Sequence, residues 1–329
     1  MKVSVVIPAR NEEHSIAALI EGLLGQTRPP EEVVVCDNGS TDATAAVVES
    51  YVGRGAQVRL VRSGPGLPGR GRNLAAAQAA HDWLAFIDAG IRPAPDWLAE
   101  LVSRAESSPE VEVVYGAWEP VTDSFFKECA AIAYVPPPAE FEGTRMRPRS
   151  IASSLMRREV WLRAGGFPEH LRSAEDLLFM NEVERAGART AYAPRAVVRW
   201  DIQPNLWRTF RRFVAYSRHN IRAGLWRDWQ AAILRRYALL AAAALPAFAF
   251  GARWVVAGLW LLMLAARGAA ALRRQRRAFP AGVGRNLLRL CVLVPLIAAL
   301  DAAALAGSVS WLLLDKLNLA RRGAAEVAR

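Results

Sequence analysis

The sequence predicts an α/β domain with a mostly parallel sheet, followed by a basic helical tail that meets and crosses a membrane. Three observations carry this. Short apolar strands alternate with amphipathic helices over the first 200 residues or so. The long apolar runs, 237–250, 254–272 and 290–314, all lie in the final third. The charge divides at the same place. Residues 1–198 hold 21 Lys and Arg against 26 Asp and Glu, whereas residues 199–329 hold 21 against 5. The formal net charge of +11 is therefore an average of an acidic domain and a basic tail. A hydrophobic fraction of 53% excludes disorder. No nucleic-acid reading motif accompanies the charge, so a nucleic-acid partner is not expected.

The elements follow in order. Residues 3–7 are a β-branched run ended by Pro8, a buried strand. No signal-peptide core precedes it, so the first domain is expected in the cytoplasm. Residues 12–24 place Ile16, Leu19, Ile20, Leu23 and Leu24 on one helix face. Residues 32–37 form a second strand, and Asn38-Gly39-Ser40 a turn that leads to a helix through Tyr51. Residues 58–61 and 83–88 are further strands, separated by a Gly/Pro/Arg loop at 64–71 and a helix at 73–80. In such sheets ligands bind at the carboxyl ends of the strands. Polar clusters at 8–12, 37–40 and 88–90 fall there. Cys36, Cys129 and Cys291 are far apart and suggest neither a disulfide framework nor a zinc site.

Six motifs in order are similar to those of family 2 glycosyltransferases. They are Val-Ile-Pro-Ala-Arg-Asn-Glu (6–12), Cys-Asp-Asn-Gly-Ser-Thr-Asp (36–42), Gly-Arg-Gly-Arg-Asn (69–73), Phe-Ile-Asp-Ala-Gly (86–90), Gly-Gly-Phe-Pro-Glu (165–169) and Glu175-Asp176. The resemblance covers about residues 1–200. It implies a GT-A fold, Rossmann-like, and inverting transfer of a sugar from a nucleotide-sugar donor. By resemblance Asp37 faces the nucleobase, with Pro8, Arg10, Glu12 and Asn38 lining the nucleoside pocket. Arg70, Arg72 and Asn73 face the diphosphate, and Asp176 is the general base, supported by Glu175. The residues admit plainer roles too. Asp37 suits a turn, and Glu175 and Asp176 suit the first turn of a helix, where acids meet the helix dipole. The family's Asp-x-Asp metal motif is replaced by Asp88-Ala89-Gly90. Either a divalent cation, Mg²⁺ or Mn²⁺, rests on Asp88 alone, with diphosphate and water completing its shell, or Arg70 and Arg72 take over part of its role. Ser153 and Ser154 suit either the donor sugar or a polar strand. Residues 136–144 read as an acceptor-side loop, and the four histidines as surface residues.

Residues 206–236 interleave aromatics with arginines, the composition of helices lying in a membrane interface, broken near Gly224. Arg211 and Arg212 are candidates for a lipid-phosphate acceptor. Residues 237–272 as one helix would run about 54 Å, too long for a hydrocarbon core of about 30 Å. A turn at 251–253 gives two short spans, and 290–314 is a third that carries Pro295 and Asp301. The expected organisation is a catalytic domain (1–200), basic interface helices (201–236), a membrane domain (237–319) and a tail (320–329). The predicted function is sugar transfer to a lipid-linked or membrane-proximal acceptor at the cytoplasmic face of the membrane. A polyprenyl-phosphate glycosyl synthase and a non-catalytic membrane scaffold are the alternatives.

Overall fold

The computed structural model describes residues 1–53, 57–141, 143–249 and 252–317. The strands are β1 (Val3–Ala9), β2 (Glu32–Asp37), β3 (Val58–Arg62), β4 (Trp83–Phe86), β5 (Arg92–Pro93), β6 (Val113–Val121), β7 (Ala139–Phe141), β8 (Thr144–Met146), β9 (Ser154–Arg157) and β10 (Thr190–Asp201). The helices are α1 (Ile16–Leu24), α2 (Thr44–Val52), α3 (Pro68–Gln78), α4 (Trp97–Glu106), α5 (Phe125–Tyr134), α6 (Arg158–Arg163), α7 (Glu175–Arg185), α8 (Leu206–Arg222), α9 (Trp226–Trp229), α10 (Ala231–Ala249), α11 (Arg253–Gln275) and α12 (Val283–Trp311). Two compact units result. One joins residues 1–121 to 138–201; the other joins 122–137 to the described part of 202–329.

The first unit is built on a sheet of order β3-β2-β1-β4-β9-β6-β10-β5. Strands β3, β2, β1 and β4 are mutually parallel, as are β6 and β10. Strand β9 runs against both β4 and β6, and β5 against β10. The sheet is thus mixed rather than uniformly parallel. Side chains alternate between two cores. Val3, Val5 and Ile7 meet Ile16, Leu19 and Ile20 of α1 and Trp97 and Leu101 of α4. Val6, Val34 and Phe86 face the other way, onto Ala75 and Ala76 of α3 and Phe179 and Met180 of α7. Pro8 sits inside a central strand, which normally excludes proline. The pairing of β1 with β4 ends at Val6. Ala9 bonds toward β2 through Asn38, so Pro8 faces the side where the ladder has already stopped.

Helices α1 and α3 start elsewhere than expected, whereas α7 carries its two acids in the first turn as expected. Helix α1 begins at Ile16 rather than residue 12, because Asn11 takes a left-handed φ of 57° and the chain turns before it coils. Helix α3 begins at Pro68, five residues early. Proline suits a first helical position, where its missing N–H costs nothing. Glu175 and Asp176 open α7, behind Ala174 at φ 69°. The strand expected over 83–88 ends at Phe86. Residues 139–146 form a β7–β8 hairpin, and Glu142 lies outside the described residues.

The second unit consists of α5 and α8–α12. Helix α8 ends at Arg222, and Gly224 takes φ 78° before α9. Ser217 of α8 donates to the Ala304 carbonyl at 2.7 Å, and Arg218 grips Asp315 at 2.8 and 2.9 Å. A Cβ at Gly307 would lie 2.5 Å from the Val214 carbonyl oxygen, so glycine permits this close helix contact. His219, expected at the surface, is buried here. Residues 254–275 and 283–316 are long and apolar enough to cross a membrane, by length and composition. Between them Arg267 pairs with Asp301 through both carboxylate oxygens, and the Tyr237 hydroxyl donates to Asp301 at 3.1 Å. Gly251 of the expected turn and the 320–329 tail lie outside the described residues.

Asp301→Ala strands the Arg267 guanidinium. The expected cost is on the order of 2 kcal/mol, below a fully buried pair because Arg267 keeps 26% of its side chain exposed. Thermal melts in detergent should show the loss, and Arg267→Met combined with Asp301→Leu should recover most of it.

Candidate active site

The carboxyl ends of β1, β2 and β4 meet α3 and the start of α7. Each contributes one of the polar clusters legible in the sequence. The loops after β1 and β2 are laced together. The Asn11 side-chain oxygen accepts from the Thr41 N–H at 2.8 Å, and the Ser40 hydroxyl oxygen accepts from the Asn11 N–H at 2.9 Å. The Glu12 N–H donates to the Thr44 hydroxyl at 2.7 Å, and the Ala43 N–H to Glu13 at 2.9 Å. Asn11, Glu13, Ser40, Thr41 and Thr44 thus position the site. Sequence reasoning gives Asn11, Glu13 and Thr44 no role and reads Ser40 or Thr41 as the cap of α2, which instead starts at Thr44 behind Ala43 with no side-chain cap. Their signal was present, since all but Glu13 and Thr44 fall inside the quoted motifs.

Asp37 is buried at the end of β2 and accepts from the Ser40 N–H at 3.1 Å, so it does serve its turn. Its neighbour Asn38 donates to the Leu67 carbonyl at 3.4 Å. Pro8 is buried; Arg10 is exposed and donates to the Gly66 carbonyl at 3.3 Å. Burial pushes the Cys36 thiol up to about 11, so it stays protonated beside them.

Helix α3 holds the centre. A Cβ at Gly69 would fall 2.3 Å from the Pro168 carbonyl oxygen, and one at Gly71 would fall 2.3 Å from the Asn38 amide nitrogen. Only glycine lets the helix wedge between these two loops. Asn73 then clamps the 165–169 motif. It accepts from the Phe167 N–H at 2.8 Å and donates to the Phe167 carbonyl and to Glu169, both at 2.9 Å.

Arg70 and Arg72, expected together in a basic loop, point apart because they lie on a helix. Arg70 is exposed. Arg72 keeps only 5% of its side chain exposed; it donates to Asp88 at 2.6 Å and to Glu175 at 2.8 Å. Its guanidinium lies 5.3 Å from the Phe167 ring centroid. Burial opposes its charge, but Asp88, Glu175 and Asp176 outweigh that and hold the proton more tightly than usual. Burial pushes the carboxyls of Glu175 and Asp176 up, with Arg72 pulling both down. Asp88 raises Asp176 further by charge repulsion. Glu175 Oε2 and Arg72 Nε are buried without a hydrogen-bond partner. One buried arginine therefore joins Asp88, at the end of β4, to the acidic pair on α7.

Gly90 adopts φ 83°, and a Cβ there would lie 3.5 Å from Glu12 Oε2. The Glu12 carboxylate, held by the Ser15 hydroxyl, thus stands beside the position from which the second aspartate is missing. Among the described residues no group of three or more His, Cys, Asp or Glu side chains is placed to hold a metal. Ser153 and Ser154 are buried in the core. Ser153 binds Trp97 at 3.0 Å and the Ala196 carbonyl at 3.1 Å, so neither lines a donor pocket. Arg211 and Arg212 belong to the second unit. Arg211 is exposed, and Arg212 donates to the Tyr216 hydroxyl at 2.7 Å.

Residues 4–158 match the model of Glycosyl transferase family 2. The poly(ribitol-phosphate) β-N-acetylglucosaminyltransferase TarS of Staphylococcus aureus is 31% identical over 194 residues, which is 54% of this chain and 32% of that protein. The O-antigen chain rhamnosyltransferase RfbN of Salmonella typhimurium is 27% identical over 60% of this chain and 66% of its own length. The chain thus spans about a third of TarS. The mannosyltransferase PcManGT of Pyrobaculum calidifontis, solved in complex with GDP-Man and Mn²⁺, aligns over 95% of this chain and 88% of its own. Its TM-score is 0.57 at 22% identity, a likeness of fold. Residues 4–158 are therefore similar to that family.

Arg72→Lys keeps the charge but cannot span both carboxylates, since only the guanidinium fork serves two partners at once. Turnover should fall about 100-fold, with the fold intact by circular dichroism. Gly69→Ala should instead lower the melting temperature, by an overpacking cost of about 2 kcal/mol.

Proposed function

We propose that this chain, whose residues 4–158 match the model of Glycosyl transferase family 2, is an inverting transferase. It moves a sugar from a nucleotide-sugar donor to a membrane-proximal acceptor. The observation that carries this is the buried Arg72 bridge between Asp88 and Glu175, with Asp176 beside it.

The chemistry follows from that arrangement. Inversion needs one base to take the acceptor hydroxyl proton as the oxygen attacks the anomeric carbon. Asp176 is the candidate. It is half-buried at the start of α7, and its Oδ1 accepts from the Leu177 N–H at 2.8 Å, which orients the carboxylate. Glu175 acts through Arg72, holding the guanidinium rather than the substrate. Pro8, Arg10, Glu12, Asp37 and Asn38 line the nucleoside side. The exposed Arg70 is the arginine available to a diphosphate, since Arg72 is already committed. The orphaned Glu175 Oε2 and Arg72 Nε fit a site that a bound donor or water completes.

A divalent cation fits with limits. Arg72 occupies Asp88 Oδ1, but the carboxylate keeps 36% of its side chain exposed. Mg²⁺ accepts one protein carboxylate when phosphate and water supply the other ligands. Asp88 would hold it, and the ion would neutralise charge on the departing diphosphate. The Mn²⁺ and GDP-Man in PcManGT support this reading. The membrane side rests on the two apolar helical stretches. Trp254 is 89% exposed and Leu262 66%, a surface suited to lipid rather than water. The intact Arg72–Glu175–Asp176 arrangement argues against a non-catalytic scaffold.

Full-length protein in its membranes, given a panel of nucleotide sugars and a membrane extract, should release free nucleotide with one of them. Asp176→Asn should lower that turnover about 1000-fold while donor binding persists; undiminished turnover would overturn the assignment. The pH profile has a definite sign. A base must be ionised, and the Asp176 carboxyl is raised, so the acid limb of kcat/KM should lie above the ordinary aspartate range. Asp88→Asn removes a like charge and should move that limb to lower pH.

A further inference from the structure

The turn between α11 and α12 borders an open cleft of about 350 Å³ within the second unit. It is lined by Leu272, Arg276, Arg277, Phe279, Pro280, Ala281 and Asn286. Its lining combines four apolar residues with two arginines and one asparagine. One wall is built rigidly. Arg289, with 3% of its side chain exposed, pairs with Glu128 of α5 and donates to the Phe279 carbonyl at 3.0 Å and to Asn286 at 2.9 Å. Asn286 in turn donates to the Ala281 carbonyl at 3.2 Å. The cleft is therefore framed by a satisfied polar network and does not depend on a ligand to exist.

The charge beside it is unbalanced. Arg267, Arg218, Arg285 and Arg289 of this unit each meet a carboxylate. Arg273, Arg274, Arg276 and Arg277 have no ion-pair or hydrogen-bond partner among the described residues. Four unpaired guanidinium groups within five residues repel one another and favour an anion. Arg276 and Arg277 line the cleft itself. The cleft also lies at the end shared by the two helical stretches long enough to cross a membrane, after Gln275 and before Val283. An anion presenting an apolar neighbour to Leu272, Phe279 and Pro280 fits both kinds of lining residue.

We propose that this cleft binds the phosphodiester headgroup of an anionic membrane lipid, with Arg276 and Arg277 as its donors. The proposal rests on the membrane-spanning reading of α11 and α12. Basic pockets between spans are suited to such headgroups, since each arginine near the membrane surface adds attraction to anionic lipid. The site is separate from the sugar-transfer residues and anchors the helical unit to anionic lipid.

The test uses the full chain purified in mild detergent and titrated with phosphatidylglycerol or phosphatidylcholine, with bound lipid counted by native mass spectrometry. Phosphatidylglycerol should bind at least about tenfold more tightly. Arg276→Gln combined with Arg277→Gln should abolish that preference, while Arg227→Gln, which removes a charge elsewhere in the same unit, should keep it. The melting temperature in detergent should be unchanged in both variants, which reports correct folding. Equal binding of the two lipids, or a preference that survives the double variant, would overturn the proposal. Displacement of phosphatidylglycerol by millimolar inorganic phosphate would also overturn it, pointing to a soluble anion. Alkaline extraction tests the membrane reading separately. A chain released from membranes by carbonate fails that reading, whereas a retained chain without lipid preference fails only the headgroup site.

Discussion

A buried guanidinium must be surrounded by acceptors, because an uncompensated charge inside a protein costs far more than folding can spare. Arg72 meets that demand with two carboxylates from distant parts of the chain, Asp88 after β4 and Glu175 at the start of α7. Much of the first unit's site follows from this requirement. Gly69 and Gly71 let α3 approach closely enough for Arg72 to reach inward. Asn73 fixes the 165–169 loop, and that loop supplies Phe167 beneath the guanidinium. The stacked Phe167 and Phe179 rings, 3.9 Å apart, tie the loop to α7. The end of β4 and the start of α7 are thus held by one cation.

The same cation clarifies the missing aspartate. Gly90 at φ 83° is a poor place for any side chain, and its open face looks toward the Glu12 carboxylate. A second aspartate there would add a strained backbone and a repulsive neighbour to a cluster that already holds Asp88, Glu175 and Asp176. The site instead balances its acids with Arg72, which keeps its charge at any working pH.

The strands were legible because β1 and β2 are buried on both faces and read as unbroken apolar runs. The strand-end clusters were legible because polar residues directly after such runs have few other uses. What stayed hidden was set by contacts between distant segments. Asn73 to 80 shows helical composition, but nothing local says that Pro68-Gly69-Arg70-Gly71 joins that helix; two glycines in four residues argue for a loop. The helix forms because Pro168 and Asn38 pack against it. The opposite fates of Arg70 and Arg72 follow, since two residues on a helix face different directions. Ser153 looked equally suited to a sugar or a core, and the Trp97 indole decided it. In the tail, composition showed where apolar helices lie, but not that Glu128 of the 122–137 segment would pair with Arg285 and Arg289 of α12.

The central claim is that Asp88 and Glu175 act as a unit through Arg72. A double-mutant cycle in kcat/KM tests this most directly, using Asp88→Asn, Glu175→Gln and the pair. Coupling through a shared buried cation predicts strong non-additivity, with the double variant little worse than the poorer single variant and an interaction energy of about 1–3 kcal/mol. Losses that simply add would mean the two carboxylates act independently, and would contradict the account.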